Sequence, residues 1–193
     1  MADYPNIPLF PLPSLVLPGG KLRLRIFEAR YLRMVRESFN ADTGFAICLL
    51  DDAVTARQPA AIYPLATRVR IVDFTALEDG LLGITVEGLE RLEVHQTATE
   101  SDGLRLGTAR ALTHWPPQPL DEQQQRVAQQ LSAAFDDYPE LATLYPSPQW
   151  ADASWVAQRW LELLPLTNEE KQRLTQKSGP NPTLTRIAAM MAQ

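Results

Sequence analysis

The sequence predicts an α+β fold in two lobes, and three observations predict it. Up to about residue 115, apolar residues recur at every second position between short turns, which is the pattern of half-buried strands. The run Trp115-Pro116-Pro117-Gln118-Pro119 then interrupts the chain with residues that favour extended backbone and exclude helix. Beyond it, apolar residues recur at helical spacing. The lobes are therefore drawn as 1–115, β-rich, and 116–193, helical. Half a dozen strands with short turns and one early helix predict a strongly bent sheet or partly closed barrel for the first lobe.

Residues 1 to 6 read as a polar lead-in, and Ile7 to Leu17 as an extended, proline-broken apolar stretch. Pro18-Gly19-Gly20 is a turn. In Lys21 to Ile26, Leu22, Leu24 and Ile26 face one way and Lys21, Arg23 and Arg25 the other. Helical spacing is expected from Phe27, with Phe27, Tyr31, Met34, Val35 and Phe39 on an inner arc and Arg30, Arg33, Arg36 and Glu37 outside. Glu28 falls on the apolar side of the first turn, where a carboxylate gains from free N–H groups and needs a partner if buried. Phe45 to Leu50 is a wholly apolar, central strand, and Asp51 to Pro59 is a polar loop.

Ile62 to Leu77 is a long strand, with Val69, Ile71 and Asp73 opposing Arg68, Arg70 and Val72. Glu78-Asp79-Gly80 and Ser101-Asp102-Gly103 are hairpin turns, because glycine accepts positive φ at no steric cost. Between them Leu81 to Glu87 and Leu89 to Thr99 are strands separated at Gly88, which predicts a bulge or bend. Leu104 to Leu112 closes the set. In the second lobe, Asp121 to Asp137 is a helix with Val127, Leu131, Ala134 and Phe135 inward. Asp152 caps a helix to Leu164 with Val156, Trp160, Leu163 and Leu164 inward. Thr167 to Glu170 reads as a capping box, and Asn181-Pro182 starts a last helix through Leu184, Ile187, Ala188 and Met191.

Two motifs carry a resemblance. The first is IPLFPL, the Pro-Gly turn and IFEARY, which contains Glu28, Arg30 and Tyr31. The second is the turn ending Asp79-Gly80, a strand, then Glu87-Gly88-Leu89 and Arg91. Together they resemble the N-terminal substrate-binding domain of the Lon protease family, as it occurs in small bacterial proteins made of that domain alone. Ala29 stands where family members often have proline. Leu163 to Gln176, LLPLTNEEKQRLTQ, resembles the later helical part of the same region. The resemblance implies a PUA-like first lobe and a non-catalytic module that binds unfolded or hydrophobic polypeptide, or a partner protein, without a cofactor. It also implies that Glu28, Arg30, Tyr31, Glu87, Gly88 and Arg91 hold the geometry.

The residues present agree with a non-enzymatic role. Lon's ATPase and Ser–Lys dyad lie beyond this domain. A phosphate-binding loop needs Gly-Lys-Ser/Thr after an upstream glycine, whereas Gly20-Lys21 is followed by leucine. Lys21, Lys171 and Lys177 stand in polar or alternating contexts, unlike a lysine desolvated for catalysis. His95 and His114 lack metal-ligand spacing. Cys48, the single cysteine, lies in an apolar strand and reads as a small core residue. With no signal-peptide pattern and no membrane-length apolar run, a cytoplasmic protein is expected.

Two surfaces remain as candidates. Trp115 and Trp150 flank proline-rich segments, and exposed aromatics there would suit a module that grips extended polypeptide. The Lys21–Arg36 face gathers six cations and is the basis of a second reading, an RNA-binding PUA-like module. A net charge of −5 and the absence of interleaved stacking aromatics argue against it.

Overall fold

One long strand organises the β-rich part. In the computed structural model, which describes residues 2–51, 61–78 and 80–192, β5 runs unbroken over Leu82–Thr99. The other strands are β1 (Asp3–Leu12), β2 (Lys21–Ile26), β3 (Phe45–Leu50), β4 (Ile62–Ala76) and β6 (Arg105–Ala111). The first half of β5 pairs with β2, from Lys21↔Glu87 to Ile26↔Leu82. Its second half pairs with β6, from Leu92↔Ala111 to Thr99↔Arg105. β4 lies along its other edge from Leu82 to Glu93. The order β2-β5-β4-β3-β1-β6, with β6 returning to β5, closes five strands into a barrel and leaves β2 as a flap. All pairings are antiparallel except β1 with β3.

β1 begins at Asp3, so the expected lead-in is part of the sheet: Asp3 and Tyr4 pair with Arg110 and Ala109. Each of the five closed strands sends side chains to one interior cluster, including Leu9, Cys48, Ala66, Leu92 and Ala109. Small residues dominate because a five-stranded barrel has little room. Burial pushes the Cys48 thiol up to about 12, so it packs as an inert apolar group. The second cluster lies on the opposite face of β3, where Phe45 and Ile47 join Phe10, Ile26, Val69, Ile84 and Val86 under the helix.

That helix, α1, spans Ala29–Ala41 and starts two residues later than the periodicity predicts. Phe27 stays outside it and is 68% exposed. Glu28 is the N-cap by its backbone, whose carbonyl accepts from Tyr31 and Leu32. Its side chain makes no capping bond and instead pairs with Arg30 at 2.6 Å. It is therefore a half-exposed local ion pair, not a carboxylate buried on the apolar side. Met34 and Val35 are buried as expected, but Phe39 is 57% exposed at the far end.

The chain divides into two units, 1–113 and 114–193. The second contains α2 (Glu122–Asp137), the short α3 (Pro139–Ala142), α4 (Ala153–Leu163), α5 (Asn168–Thr175) and α6 (Asn181–Met191). α4 is its centre: every residue from Ala153 to Arg159 is buried, and α6 packs against both α2 and α4. A helix buried all round shows no apolar stripe, which is why the expected phase fails at Leu163, 41% exposed. Asp121 and Gln124 form a reciprocal capping box on α2. Thr167 accepts from the Glu170 N–H, but the Glu170 carboxylate turns to Arg186 at 2.7 Å instead of back to the cap. Among the described residues no helix is long and apolar enough to cross a membrane.

The expected 51–59 loop, apart from Asp51, and Asp79 of the first hairpin lie outside the described residues.

Candidate functional site

The six motif residues are spread over the β unit and act as fasteners. Arg30 donates to the Gly103 carbonyl at 2.9 Å and its guanidinium lies 4.7 Å from the Tyr31 ring centroid. Tyr31 in turn packs on Phe10 with centroids 4.3 Å apart. Next to them Arg33 bonds Glu100, Asp102 and Glu37, so α1 holds the β5–β6 turn through two arginines. Glu87 pairs with Arg70, its register partner on β4, at 2.6 Å. Gly88 meets the 17–20 turn: it donates to the Gly20 carbonyl and accepts from Gly19, both at 2.8 Å. Arg91 is buried, donates to the Thr113 carbonyl, and has its pKa pulled down to about 10 by desolvation.

The Asp102 carboxylate accepts from the Leu104 N–H at 3.0 Å and from Arg33, and both hold its pKa below the usual carboxylate range. A depressed folded pKa means its stabilisation is present above the ordinary value, about 3.9, and is lost as pH falls through the folded value. In an NMR titration the Leu104 amide should therefore report a midpoint below that of free aspartate. Arg33→Ala should move that midpoint upward, and an unmoved midpoint would show that Arg33 does not stabilise the carboxylate.

An apolar cleft of about 340 Å³ opens between the second half of α1 and the β4–β5 hairpin. Leu32, Val35 and Phe39 form one wall and Phe74 and Leu82 the other. A bulge builds this site. Ile71 pairs with Val86 and Asp73 with Thr85, so Val72 is an extra residue on β4. Strict alternation would put Asp73 beside Ile71 on the inner face. The bulge reverses this and brings Phe74 opposite the buried Ile84. Phe74 then meets Phe39 edge to face, centroids 4.9 Å apart, yet remains 43% exposed. Phe27 follows Ile26, the register partner of Leu82, so three exposed phenylalanines gather at this end of the sheet. Sequence reading places Phe39 inward and is silent on Phe74. A usable signal was that α1's apolar stripe continues to Phe39, past Met34 and Val35, which cover the core.

In the helical unit, Trp115 is not an exposed aromatic. It is 4% exposed and its indole N–H donates to the Lys177 carbonyl at 2.6 Å, anchoring the proline-rich segment. Trp150 is half-buried, edge-on to Phe135 and Trp155 at 5.1 Å each. It lines a groove of about 500 Å³ with Pro119, Leu120 and Ala128, edged by Gln125, Gln129 and Ser132.

The basic face is not a continuous set of available cations, because Arg30 and Arg33 are held by carboxylates and a carbonyl. Among the described residues no three His, Cys, Asp or Glu side chains group to hold a metal.

A family model for the ATP-dependent protease La (Lon) substrate-binding domain matches residues 6–193. The chain belongs to this family. A Lon N-terminal domain protein from Xanthomonas campestris superposes with a TM-score of 0.75 at 29% identity, covering 98% of each chain. The N-terminal domain of the Mycobacterium avium complex Lon protease shares the fold, with a TM-score of 0.64 at 14% identity over 97% of this chain and 98% of that one. The Lon protease of Solibacter usitatus (strain Ellin6076) is 27% identical over 200 residues. That match takes in 98% of this Lon substrate-binding-family chain but 24% of the relative, so the chain spans about a quarter of the curated protein it matches.

Proposed function

We propose that the chain is a non-catalytic polypeptide-binding module, which takes apolar side chains of unfolded segments into the cleft between Phe39 and Phe74. The observation that carries this is the exposure of Phe27, Phe39 and Phe74 at one end of the β unit, beside a cleft with apolar walls. Exposed aromatic surface is costly unless it meets a ligand, and family membership points to polypeptide as that ligand. The Trp150 groove offers a second surface of similar character for the same class of ligand. The buried free thiol of Cys48 fits a reducing, cytoplasmic setting.

Titration of the full chain against a fluorescent, permanently unfolded polypeptide tests the reading. Phe39→Ser/Phe74→Ser is expected to weaken binding about thirtyfold or more, since truncating two central aromatics removes about 2 kcal/mol or more. Trp150→Ala in parallel measures the helical groove. Binding that survives the double serine variant would overturn the cleft as the site. Binding of single-stranded RNA in place of polypeptide, steeply lost with salt, would overturn the polypeptide reading altogether.

A further inference from the structure

Among the described residues lining the Phe39–Phe74 cleft, Arg36 is the one with a formal charge. It stands on the rim of the α1 wall, one turn from both Leu32 and Phe39. Its situation differs from that of its neighbours. Arg30 is paired with Glu28, Arg33 with Glu37, Glu100 and Asp102, Arg68 with Glu90, and Arg70 with Glu87. Arg36 is exposed and makes no ion pair or hydrogen bond among the described residues. Glu37, the nearest acid in sequence, is drawn to Arg33 at 3.1 Å. Asp73 is set on the outer face of β4 by the Val72 bulge, in register with Thr85 and away from Phe74. The cleft thus presents an apolar slot with one cation at its lip that pairs with no carboxylate among the described residues, on a protein whose net charge is −5.

Resting on the polypeptide-capture reading above, we infer that the cleft selects segments in which an aromatic or branched aliphatic residue is accompanied by an Asp or Glu side chain two positions away. The spacing follows from the helix. Arg36 and Phe39 are three residues apart, which separates them by about 5–6 Å along one helix surface. An extended ligand advances about 3.3 Å per residue and returns to the same side every second residue. An apolar side chain seated against Phe39 therefore brings a side chain two residues away alongside Arg36, on the side set by the direction in which the ligand runs along the helix. A carboxylate there gains a charge-assisted bond beside low-dielectric rings. A lysine there meets a like charge, which disfavours it.

Three acetylated and amidated peptides test this with the full chain, by fluorescence anisotropy at low salt. They differ at one position: Phe-x-Glu, Phe-x-Gln and Phe-x-Lys. The Glu peptide is expected to bind about fivefold more tightly than the Gln peptide, and the Lys peptide more weakly than either. Arg36→Gln should remove the Glu preference while leaving the Gln peptide within about twofold, and Arg36→Glu should favour Lys. Equal binding of Glu and Gln peptides, with both weakened by Phe39→Ser/Phe74→Ser, would overturn the selectivity and leave capture standing. Affinities indifferent to the serine pair would instead remove the capture reading. A Gln peptide ending in a free carboxylate at the same spacing is expected to gain less than the Glu peptide. If it gains more, the terminal carboxylate is the group recognised and the side-chain assignment fails.

Discussion

Gly88→Ala should destabilise the β unit by about 3 kcal/mol or more, a large effect for the addition of one methyl group. A Cβ at this position would lie 2.1 Å from the Leu17 carbonyl oxygen and 2.7 Å from its carbon. Both are backbone atoms, so no rotamer change relieves the clash. The turn cannot retreat cheaply either. It is bonded to the strand on both sides of the contact, Gly19 to the Gly88 carbonyl and Gly88 to the Gly20 carbonyl. Moving it away breaks those bonds and unseats Val16 and Leu17, which are both 1% exposed. Thermal melting provides the check, with Gly179→Ala as the control because nothing lies within 4 Å of its added Cβ. The control should melt within a degree or two of the parent. The Gly88 variant should melt at least about 10 °C lower or fail to fold. Equal melting of the two would mean that the turn does not rest on the strand.

Arg159→Ala should cost the helical unit about 3–5 kcal/mol. Arg159 is 1% exposed and grips Glu162 with two parallel bonds, at 2.7 and 3.0 Å. Its guanidinium lies 5.5 Å from the Trp155 ring centroid and 5.7 Å from that of Tyr145. Truncation leaves the Glu162 carboxylate, whose side chain is 10% exposed, without its main counter-charge. It also opens space beneath two rings. Arg159→Met/Glu162→Gln should recover most of the loss, because removing both charges removes the desolvation cost along with the attraction. The recovery is incomplete, since the buried Lys171 also feels the field of Glu162. Urea unfolding of Arg159→Met, Glu162→Gln and the double variant gives the coupling between the pair. A double variant as unstable as Arg159→Ala would show that the pair's attraction and hydrogen bonds outweigh its desolvation cost, since methionine keeps the packing against Trp155 and Tyr145.

Local features of this fold were readable from sequence where one residue type has one physical use. The alternation in Lys21–Ile26, the apolar run Phe45–Leu50 and the caps at Asp152 and Thr167 all report short-range geometry. Gly88 signalled an irregularity, and the ladder does slip there, with Leu89 as the extra residue between Glu90 and Gly88. The Val72 bulge carried no such mark, because neither Val72 nor Asp73 is a residue that turns require. Its consequence is non-local: it moves Phe74 to the α1 side and so makes the cleft. Trp115 was misread because its neighbouring prolines look like a solvent-exposed linker, while its indole N–H finds a carbonyl on a segment 62 residues away. The parallel pairing of β1 with β3, and closure through β6, depend on partners that no short window contains.

That closure has a temporal side. Leu9 pairs with Arg105, and Asp3 with Arg110, so the first strand waits about a hundred residues for one of its two neighbours. At translation rates of about 5–20 residues per second, this is an interval of several seconds or more. During it, the apolar side chains of β1 have β3 as their one available ladder, and the barrel interior around Cys48 stays open to water. The rate-limiting event in folding the β unit should then be the docking of β6 between β1 and β5, a late, long-range step. Nascent chains halted before residue 111 would be the sticky species, with the apolar face of β1 open along the edge that β6 later covers.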